Sequence, residues 1–294
     1  MNKFNDGIAA VNGNFSPLSE AQIPLSDRGF LFGHAVFETI LVSNGKIIAW
    51  EKHFERLQRS CKRSFIQQPE DNTLKQLVNS AIEQNIKLTK SVNSKIAVRI
   101  IVTGGNSFDL PISKNNENLP KANTIIICRN IPGPSQEQYL KGISLKSMAD
   151  VRPKELVDIK SCNYLFNIMA LEEARTQSYE DVLFYDNKNV FTECTTANFI
   201  WFDENYNVYS VPFENNCLAG TTLTLLVEAL STSPIQFQWK GLAKDEINSV
   251  FGCAILSSTR LILPVNKIDN TLFSIKKHLE FFRQLNELLE KKLQ

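Results

Sequence analysis

Asp158-Ile159-Lys160-Ser161-Cys162-Asn163-Tyr164 leads straight into a stretch of helical periodicity. Downstream of it, Phe191-Thr192-Glu193-Cys194-Thr195-Thr196-Ala197-Asn198 sets a carboxylate in a small polar turn between two apolar stretches. A lysine ahead of an amphipathic helix, followed at this distance by a carboxylate, points to a cofactor held as a Schiff base and an acid to tune it. A solvated surface lysine is the plain alternative. Ile159, Tyr164, Leu165, Ile168 and Met169 predict a largely buried segment, where a lysine needs a reason. An ordinary amine, with a pKa of about 10.4, is almost wholly protonated at neutral pH. A standing bond to an aldehyde cofactor avoids that handicap, because an incoming amino group exchanges for the lysine. Glu193 reads either as an exposed carboxylate at a strand end or as the partner of a pyridine ring nitrogen. A carboxylate within about 4–6 Å shifts a neighbour's pKa by about 1–3 units, enough to keep such a ring protonated.

The rest of the composition narrows the class. The 294 residues, 43% of them hydrophobic, suffice for two cores. With 32 basic and 31 acidic residues the formal charge is +1, a balance that predicts neither a nucleic-acid nor a membrane partner. No apolar run reaches the length of a membrane span, and Met1-Asn2-Lys3-Phe4-Asn5-Asp6-Gly7 lacks the apolar centre of a signal peptide. A soluble, cytoplasmic protein is expected. The six cysteines form no CxxC pair and read as reduced, mostly buried thiols, although Cys162 and Cys194 flank the two motif residues. Three histidines without metal-like spacing predict no metal site, and no G-x-S-x-G elbow supports a serine triad.

Along the chain, Asn12-Gly13 and Asn44-Gly45 each predict a hairpin, the second joining Val36 to Val42 with Lys46 to Trp50. Helical periodicity covers Glu51 to Phe65, Thr73 to Leu88, Asn163 to Thr176, Thr221 to Leu230 and Ser274 to Lys292. Strands are predicted at Ile96 to Thr103, Thr124 to Cys128, Ile143 to Met148, Val182 to Tyr185, Asn198 to Phe202, Val208 to Val211 and Cys253 to Leu256. A polar, Asn-rich loop runs from Gly104 to Asn123. Two prolines and a glycine make residues 130–136 an interdomain linker, separating a small N-terminal α/β domain (1–129) from a larger C-terminal domain (137–294) that carries Lys160. The pattern is α+β or mixed α/β, with antiparallel hairpins dominating the first part.

Several blocks occur in one order: Ser26-Asp27-Arg28-Gly29-Phe30-Leu31-Phe32-Gly33 with Val36-Phe37-Glu38-Thr39; His53-Phe54-Glu55-Arg56-Leu57; Ile159-Lys160-Ser161 with Asn163-Tyr164-Leu165; Glu172-Glu173-Ala174; Thr192-Glu193 with Ala197-Asn198; and Leu263-Pro264-Val265. In these the chain resembles the class IV (fold-type IV) pyridoxal-phosphate enzymes. That family includes branched-chain aminotransferases, D-amino acid aminotransferases and aminodeoxychorismate lyases. The resemblance implies a two-domain fold like that of D-amino acid aminotransferase, pyridoxal 5'-phosphate in the cleft where the domains meet, and a homodimer.

By the same resemblance Lys160 is the Schiff-base lysine and general acid/base, and Glu193 holds the pyridine nitrogen. Arg56 corresponds to the arginine on the cofactor phosphate, Tyr164 to the tyrosine near the ring oxygen, and Asn198 to a residue shaping the turn that bears Glu193. The family's Gly-Ile-Thr-Arg phosphate loop becomes Gly220-Thr221-Thr222-Leu223 here; the arginine is lost, but backbone N–H donors at a helix start do not depend on side chains. Gly220 also reads as a turn glycine before an N-capped helix. Ser257-Ser258-Thr259 matches a second phosphate loop, with Ser258 or Thr259 supplying the hydroxyl.

Substrate choice is carried by fewer residues. His34-Ala35 replaces a common Asp-Gly, and Thr39 after Phe37-Glu38 resembles the lyases. The Asp158-Ile159-Lys160-Ser161 block resembles the D-amino acid aminotransferases, yet Thr103-Gly104-Gly105 stands where many of those place an Arg-x-His pair. Arg99 or Arg152 is expected to hold a substrate carboxylate; either also reads as a structural ion-pair partner. The expected activity is amino transfer between an amino acid and a 2-oxo acid. The alternatives are elimination of pyruvate from aminodeoxychorismate to give 4-aminobenzoate, or an inactive binding module.

Overall fold

Asn12 and Gly13 (φ 52° and 85°), like Asn44 and Gly45 (φ 50° and 75°), take positive φ at both central positions, the geometry that lets a two-residue turn follow the twist of its strands. The first of these turns joins β1 (Ile8–Val11) to β2 (Asn14–Pro17). After α1 (Arg28–Phe32), the second joins β3 (Ala35–Ser43) to β4 (Lys46–Ile47). The second hairpin is shorter than its sequence predicts. Ala49 turns the chain at φ 53°, and Trp50 opens α2 (Trp50–Arg63), its indole donating to Asp71 at 2.7 Å. There follow α3 (Asp71–Thr89), β5 (Ile96–Thr103) and β6 (Thr124–Asn130).

The computed structural model describes residues 7–90, 95–110, 119–214 and 217–293. The first six residues, within the segment examined above for a signal peptide, and residues 111–118 of the Asn-rich loop lie outside them. The chain forms two units, Met1–Gly133 with Ile159–Asn163, and Pro134–Asp158 with Tyr164–Gln294. The division at Gly133 falls inside the proline- and glycine-rich segment. The lysine segment is a correction to the sequence expectation, which gave Lys160 to the C-terminal domain. Ile159–Asn163 belongs to the first unit because its backbone pairs with β3, through Phe37 N–H to the Lys160 carbonyl (2.9 Å) and Cys162 N–H to the Ala35 carbonyl (2.8 Å).

The first unit is an antiparallel sheet in the order β2-β1-β6-β5-β3-β4. Alternate side chains point to opposite faces of a strand. Val36, Ile40 and Val42 of β3, with Val98 and Ile100 of β5, meet Leu57 and Cys61 of α2 and Leu74 and Val78 of α3 in one core. Phe37 and Thr39 take the other face, where Arg99 stands directly across from Thr39.

The second unit comprises α4 (Gln136–Lys141), β7 (Ile143–Ala149), α5 (Lys154–Val157), α6 (Leu165–Thr176), β8 (Asp181–Tyr185), β9 (Phe191–Cys194), β10 (Asn198–Phe202), β11 (Val208–Ser210), α7 (Thr221–Leu230), β12 (Phe237–Trp239), β13 (Gly252–Ser257), β14 (Leu261–Ile268), β15 (Thr271–Leu272) and α8 (Ile275–Leu293). Its strands run β12-β11-β10-β13-β14-β7-β8-β9, and β9 pairs back onto β10 at Asn198↔Glu193. The ladder from β10 round to β9 therefore closes on itself, around Leu145, Leu183, Phe191, Phe199, Ile255 and Val265. The parallel pairs β7–β8 and β11–β12 are bridged by helical crossovers, as parallel strands require.

Two sequence expectations change here. β14 carries Pro264 and was not foreseen as a strand. Pro264 faces Ala254 of β13, and the pairing with β7 starts only at Val265, so the missing N–H falls just outside that ladder. Helix α6 was read as largely buried, yet Leu165, Ile168 and Met169 are 70%, 54% and 63% exposed. The helix buries its small face instead, setting Ala170 and Ala174 against Val182 and Phe184. Among the described residues no helix is long and apolar enough to cross a membrane.

Phe202 is fully buried among Phe251, Phe281 and Phe282. Gly252 lies opposite it, and a Cβ there would come 2.2 Å from Phe202 Cζ. Gly252→Ala is accordingly expected to destabilise the fold by about 1–3 kcal/mol. Urea denaturation is the measurement, with a lowered midpoint at constant slope the expected result.

Candidate active site

In the first unit the lysine is placed by strand register. Ser161 faces Val36 in an isolated antiparallel bridge, and the two backbone bonds around it fix Lys160 beside Phe37. Ile159 packs into the core, which anchors the segment from the other side. Lys160 Nζ lies 4.6 Å from the centroid of the Phe37 ring, and the Arg99 guanidinium lies 4.1 Å from the same centroid. Two cations thus share one ring, on the sheet face that also carries Thr39. Arg99 is exposed, so its charge is available to an anionic group in solution.

On the opposite face, α2 lowers Arg56 and His53 onto Glu38. All three are buried, Glu38 completely. Arg56 donates from Nε and Nη2 to the two Glu38 oxygens, each at 2.7 Å, and His53 Nδ1 donates to Oε2 at 2.7 Å. Burial pushes the Glu38 carboxyl up, but the Arg56 charge, the Arg56 hydrogen bonds and the His53 hydrogen bond outweigh it and hold it down at about 2. Burial holds His53 below its usual range, with Glu38 opposing. Glu38 was not foreseen as a site residue. The signal was present, since a carboxylate inside the apolar run of β3 needs a buried cation.

In the second unit, Glu193 stands at the ring-closing pair of β9 and β10 and is buried. Its Oε1 accepts from Arg152 Nη2 at 3.1 Å and its Oε2 from Leu218 N–H at 3.0 Å. Arg152 also grips Asp150 through Nε and Nη2. Burial alone would lower Arg152, yet Asp150 and Glu193 hold it above its ordinary value. Its charge is thus engaged by two carboxylates of its own unit, the ion pairing that the sequence also allowed for Arg152. Asn198 donates to the Leu218 carbonyl at 2.9 Å and fills the space beside Gly220, where a Cβ would lie 1.7 Å from its Oδ1. Asn198 therefore shapes the strand of chain that feeds both Glu193 and the start of α7.

That helix start is a potential anion cradle. Gly220 has no side chain to cap α7, and Thr221 Oγ1 lies 3.5 Å from Ser258 Oγ in the β13–β14 turn. N–H groups of a first helical turn and paired hydroxyls suit a phosphate. Thr222 is buried beside them in sequence, and Thr259 is half-buried in the same turn as Ser258. Arg260 ties that turn to the rest of the unit, reaching Asp181 at 3.3 Å, while Asp181 accepts from Thr195 at 2.6 Å near the Glu193 strand. By chemical type, the amine of the first unit and the buried carboxylate and helix start of the second are the groups that an aldehyde, a ring nitrogen and a phosphate require, so the residues present fit pyridoxal phosphate.

The remaining expected residues divide. Tyr164 immediately precedes α6 and is half-buried. Thr39 is half-buried on the Phe37 face. His34 is a strut: its Nδ1 accepts from Arg28 Nε at 3.1 Å and its Nε2 donates to the Ser64 carbonyl at 2.6 Å. Gly104 packs on that ring, where a Cβ would lie 2.2 Å from Nδ1. Both ring nitrogens of His34 are engaged within the unit. All six cysteines are free; burial pushes Cys162 up against the opposing charges of Arg99 and Lys160, and Cys194 well up, which disfavours a reactive thiolate at either. Among the described residues no group of three or more His, Cys, Asp or Glu could hold a metal ion.

Comparison with known proteins gives a consistent picture. Residues 35–268 match the sequence profile of the family Amino-transferase class IV. D-alanine aminotransferase of Bacillus licheniformis is 27% identical over 270 residues, 88% of this chain and 87% of that protein. The D-alanine aminotransferase of Staphylococcus aureus (strain N315) is 25% identical over 286 residues, 96% of each. Among solved structures, a hypothetical aminotransferase from Mycobacterium tuberculosis in its alpha-ketoglutarate and PMP bound form superposes with a TM-score of 0.84 at 18% identity, covering 97% of this chain and 98% of that one. The 4-amino-4-deoxychorismate lyase from Pseudomonas aeruginosa gives 0.77 at 20% identity, covering 97% and 99%. At these identities the structural likenesses establish the fold.

The Glu38 carboxyl, held at about 2 against an ordinary 4.5, stabilises the folded chain at every pH above its unfolded value. That contribution, on the order of 3 kcal/mol, is expected to fade as pH falls from about 4.5 towards 2. Glu38→Gln should be less stable at neutral pH and should show a flatter acid limb. Denaturant unfolding at a series of pH values reads both effects.

Proposed function

We propose that this chain, which belongs to the class IV aminotransferase family, moves an amino group between an amino acid and a 2-oxo acid with pyridoxal phosphate as its cofactor. The observation that carries the reading is the lysine: strand pairing holds Lys160 at one place on the sheet, with the Arg99 cation sharing the Phe37 ring. When bound, pyridoxal phosphate supplies an aldehyde carbon that receives the amino group and a ring that draws electrons from the substrate α-carbon.

The protein groups do the rest. Lys160 is the residue that would hold the cofactor's aldehyde, and its Nζ would be displaced by the substrate amine. As a free amine, Nζ would take the proton from the substrate α-carbon and deliver it to the cofactor carbon that receives the amino group. Glu193, which accepts from Arg152 and the Leu218 N–H, would stand against the ring nitrogen and favour its protonated form. Arg56, the first turn of α7 with Thr221 and Thr222, and the hydroxyls of Ser258 and Thr259 hold the phosphate. Tyr164 donates towards the ring oxygen. Arg99, with Thr39 opposite it in register, takes the substrate carboxylate. The same reading includes a homodimer, supported by the apolar row Leu165, Ile168 and Met169 that α6 turns to solvent. It also includes a reducing, cytoplasmic setting, supported by six unpaired cysteines.

Mixing the purified protein with D- and L-amino acids and following the cofactor absorbance tests the reading, with D-alanine tried first because the curated relatives are D-alanine aminotransferases. An absorbance change that 2-oxo acid reverses is expected. Release of pyruvate from aminodeoxychorismate with no 2-oxo acid present would assign the chain to elimination instead. Lys160→Ala is expected to abolish the absorbance change and lower turnover roughly a hundred- to ten-thousandfold. Arg99→Met should raise KM for the 2-oxo acid roughly ten- to a hundredfold, with a smaller effect on kcat; unchanged KM would remove Arg99 from the substrate site.

A further inference from the structure

Glu38 is costly where it stands. It is fully buried, and its neighbours along the core face of β3 are Val36 and Ile40, themselves 0% and 1% exposed. A buried ion pair is often no more stabilising than apolar side chains of the same volume. The cluster Glu38–Arg56–His53 therefore calls for a use beyond holding α2 on the sheet.

Its geometry supplies one. Glu38 receives Nε and Nη2 of Arg56 in a two-point fork, each contact at 2.7 Å, and a two-point fork sets the plane of a guanidinium where a single contact sets only its distance. The Glu38 carboxylate is itself held by His53, whose Nδ1 donates to the oxygen that Nη2 also uses. His53 is buried on the same helix three residues before Arg56, so one helical turn carries both the ligand arginine and the brace for its carboxylate. Burial lowers the His53 ring below its ordinary value, against the pull of Glu38.

We propose that Glu38, braced by His53, is a positioning residue for cofactor capture: it locks the Arg56 guanidinium in the one orientation in which it meets the phosphate. The inference rests on the assignment of Arg56 to the phosphate in the proposed function. It makes a prediction whose sign is informative. Glu38 offsets the charge of Arg56, so if Arg56 served only as a positive charge, removing Glu38 would strengthen phosphate binding. If Glu38 orients Arg56, removing it weakens phosphate binding.

The experiment uses the full chain stripped of cofactor and titrated separately with pyridoxal phosphate and with pyridoxal, which lacks the phosphate. The ratio of the two affinities isolates what the protein gains from the phosphate, and circular dichroism confirms that each variant is folded. Glu38→Gln is expected to lower that ratio about tenfold, the usual scale for losing the support of a ligand group. Glu38→Asp should restore part of it, and Glu38→Gln should add little once Arg56→Ala is present. A ratio unchanged or raised in Glu38→Gln overturns the proposal, as does an equal loss in the Arg56→Ala background. Should Glu38→Gln fail to fold, His53→Phe carries the same test, since it removes the brace and leaves the fork: a ratio lowered a few-fold supports the proposal and an unchanged one overturns it. Arg56→Ala alone separates the two levels, because an unchanged ratio there sinks the phosphate assignment itself and leaves the fold description intact.

Discussion

Two backbone hydrogen bonds, Phe37 N–H to the Lys160 carbonyl and Cys162 N–H to the Ala35 carbonyl, decide where the lysine amine can be. They pair a five-residue segment with β3, although that segment lies in sequence beyond the proline-rich division of the chain. Because side chains alternate along a strand, the register of this pairing also settles which partners share the lysine's face. Phe37 and Thr39 point one way with Arg99 across from them; Glu38 points the other way, into the core, and meets Arg56 and His53.

The second unit solves a different problem, which is to bury a carboxylate with hydrogen-bond donors at both of its oxygens. Glu193 sits at the pair where β9 returns to β10, and two donors reach it from separate segments, Arg152 after β7 and Leu218 before α7. Asn198 holds Leu218 in place, and Gly220 exists as glycine because Asn198 fills the volume a Cβ would need. The carboxylate, the loop that donates to it and the start of α7 are thus mechanically one piece. Asp181 extends the same logic by linking the Ser258 turn, through Arg260, to Thr195 beside the Glu193 strand.

Much of this was legible along the chain, and the misses have physical causes. The Asn-Gly turns, the α2 and α3 periodicities and the Lys160 and Glu193 motifs are local signals, written in neighbouring residues. Pro264 hid β14, because a proline argues against a central strand unless the ladder beside it begins one residue later. Leu165, Ile168 and Met169 read as core because helical periodicity reports which residues share a face and is silent on what that face meets. The ties of His34 to Ser64 and of Arg152 to Glu193 were not legible, because those partners lie 30 and 41 positions away in the chain.

The sequence by itself determined the chemical alphabet: a lysine amine before a helix, a carboxylate in a polar turn, an arginine on a helix, a glycine–threonine helix start and a serine turn, in the order that marks class IV aminotransferases. Those are covalent facts and need no folding to be read. Only the tertiary structure decided that the lysine segment joins the first unit, that Arg152 belongs to Glu193 and that Glu38 belongs to Arg56. A charge's role depends on what lies within a few ångströms of it, and that distance is set by strand register and burial.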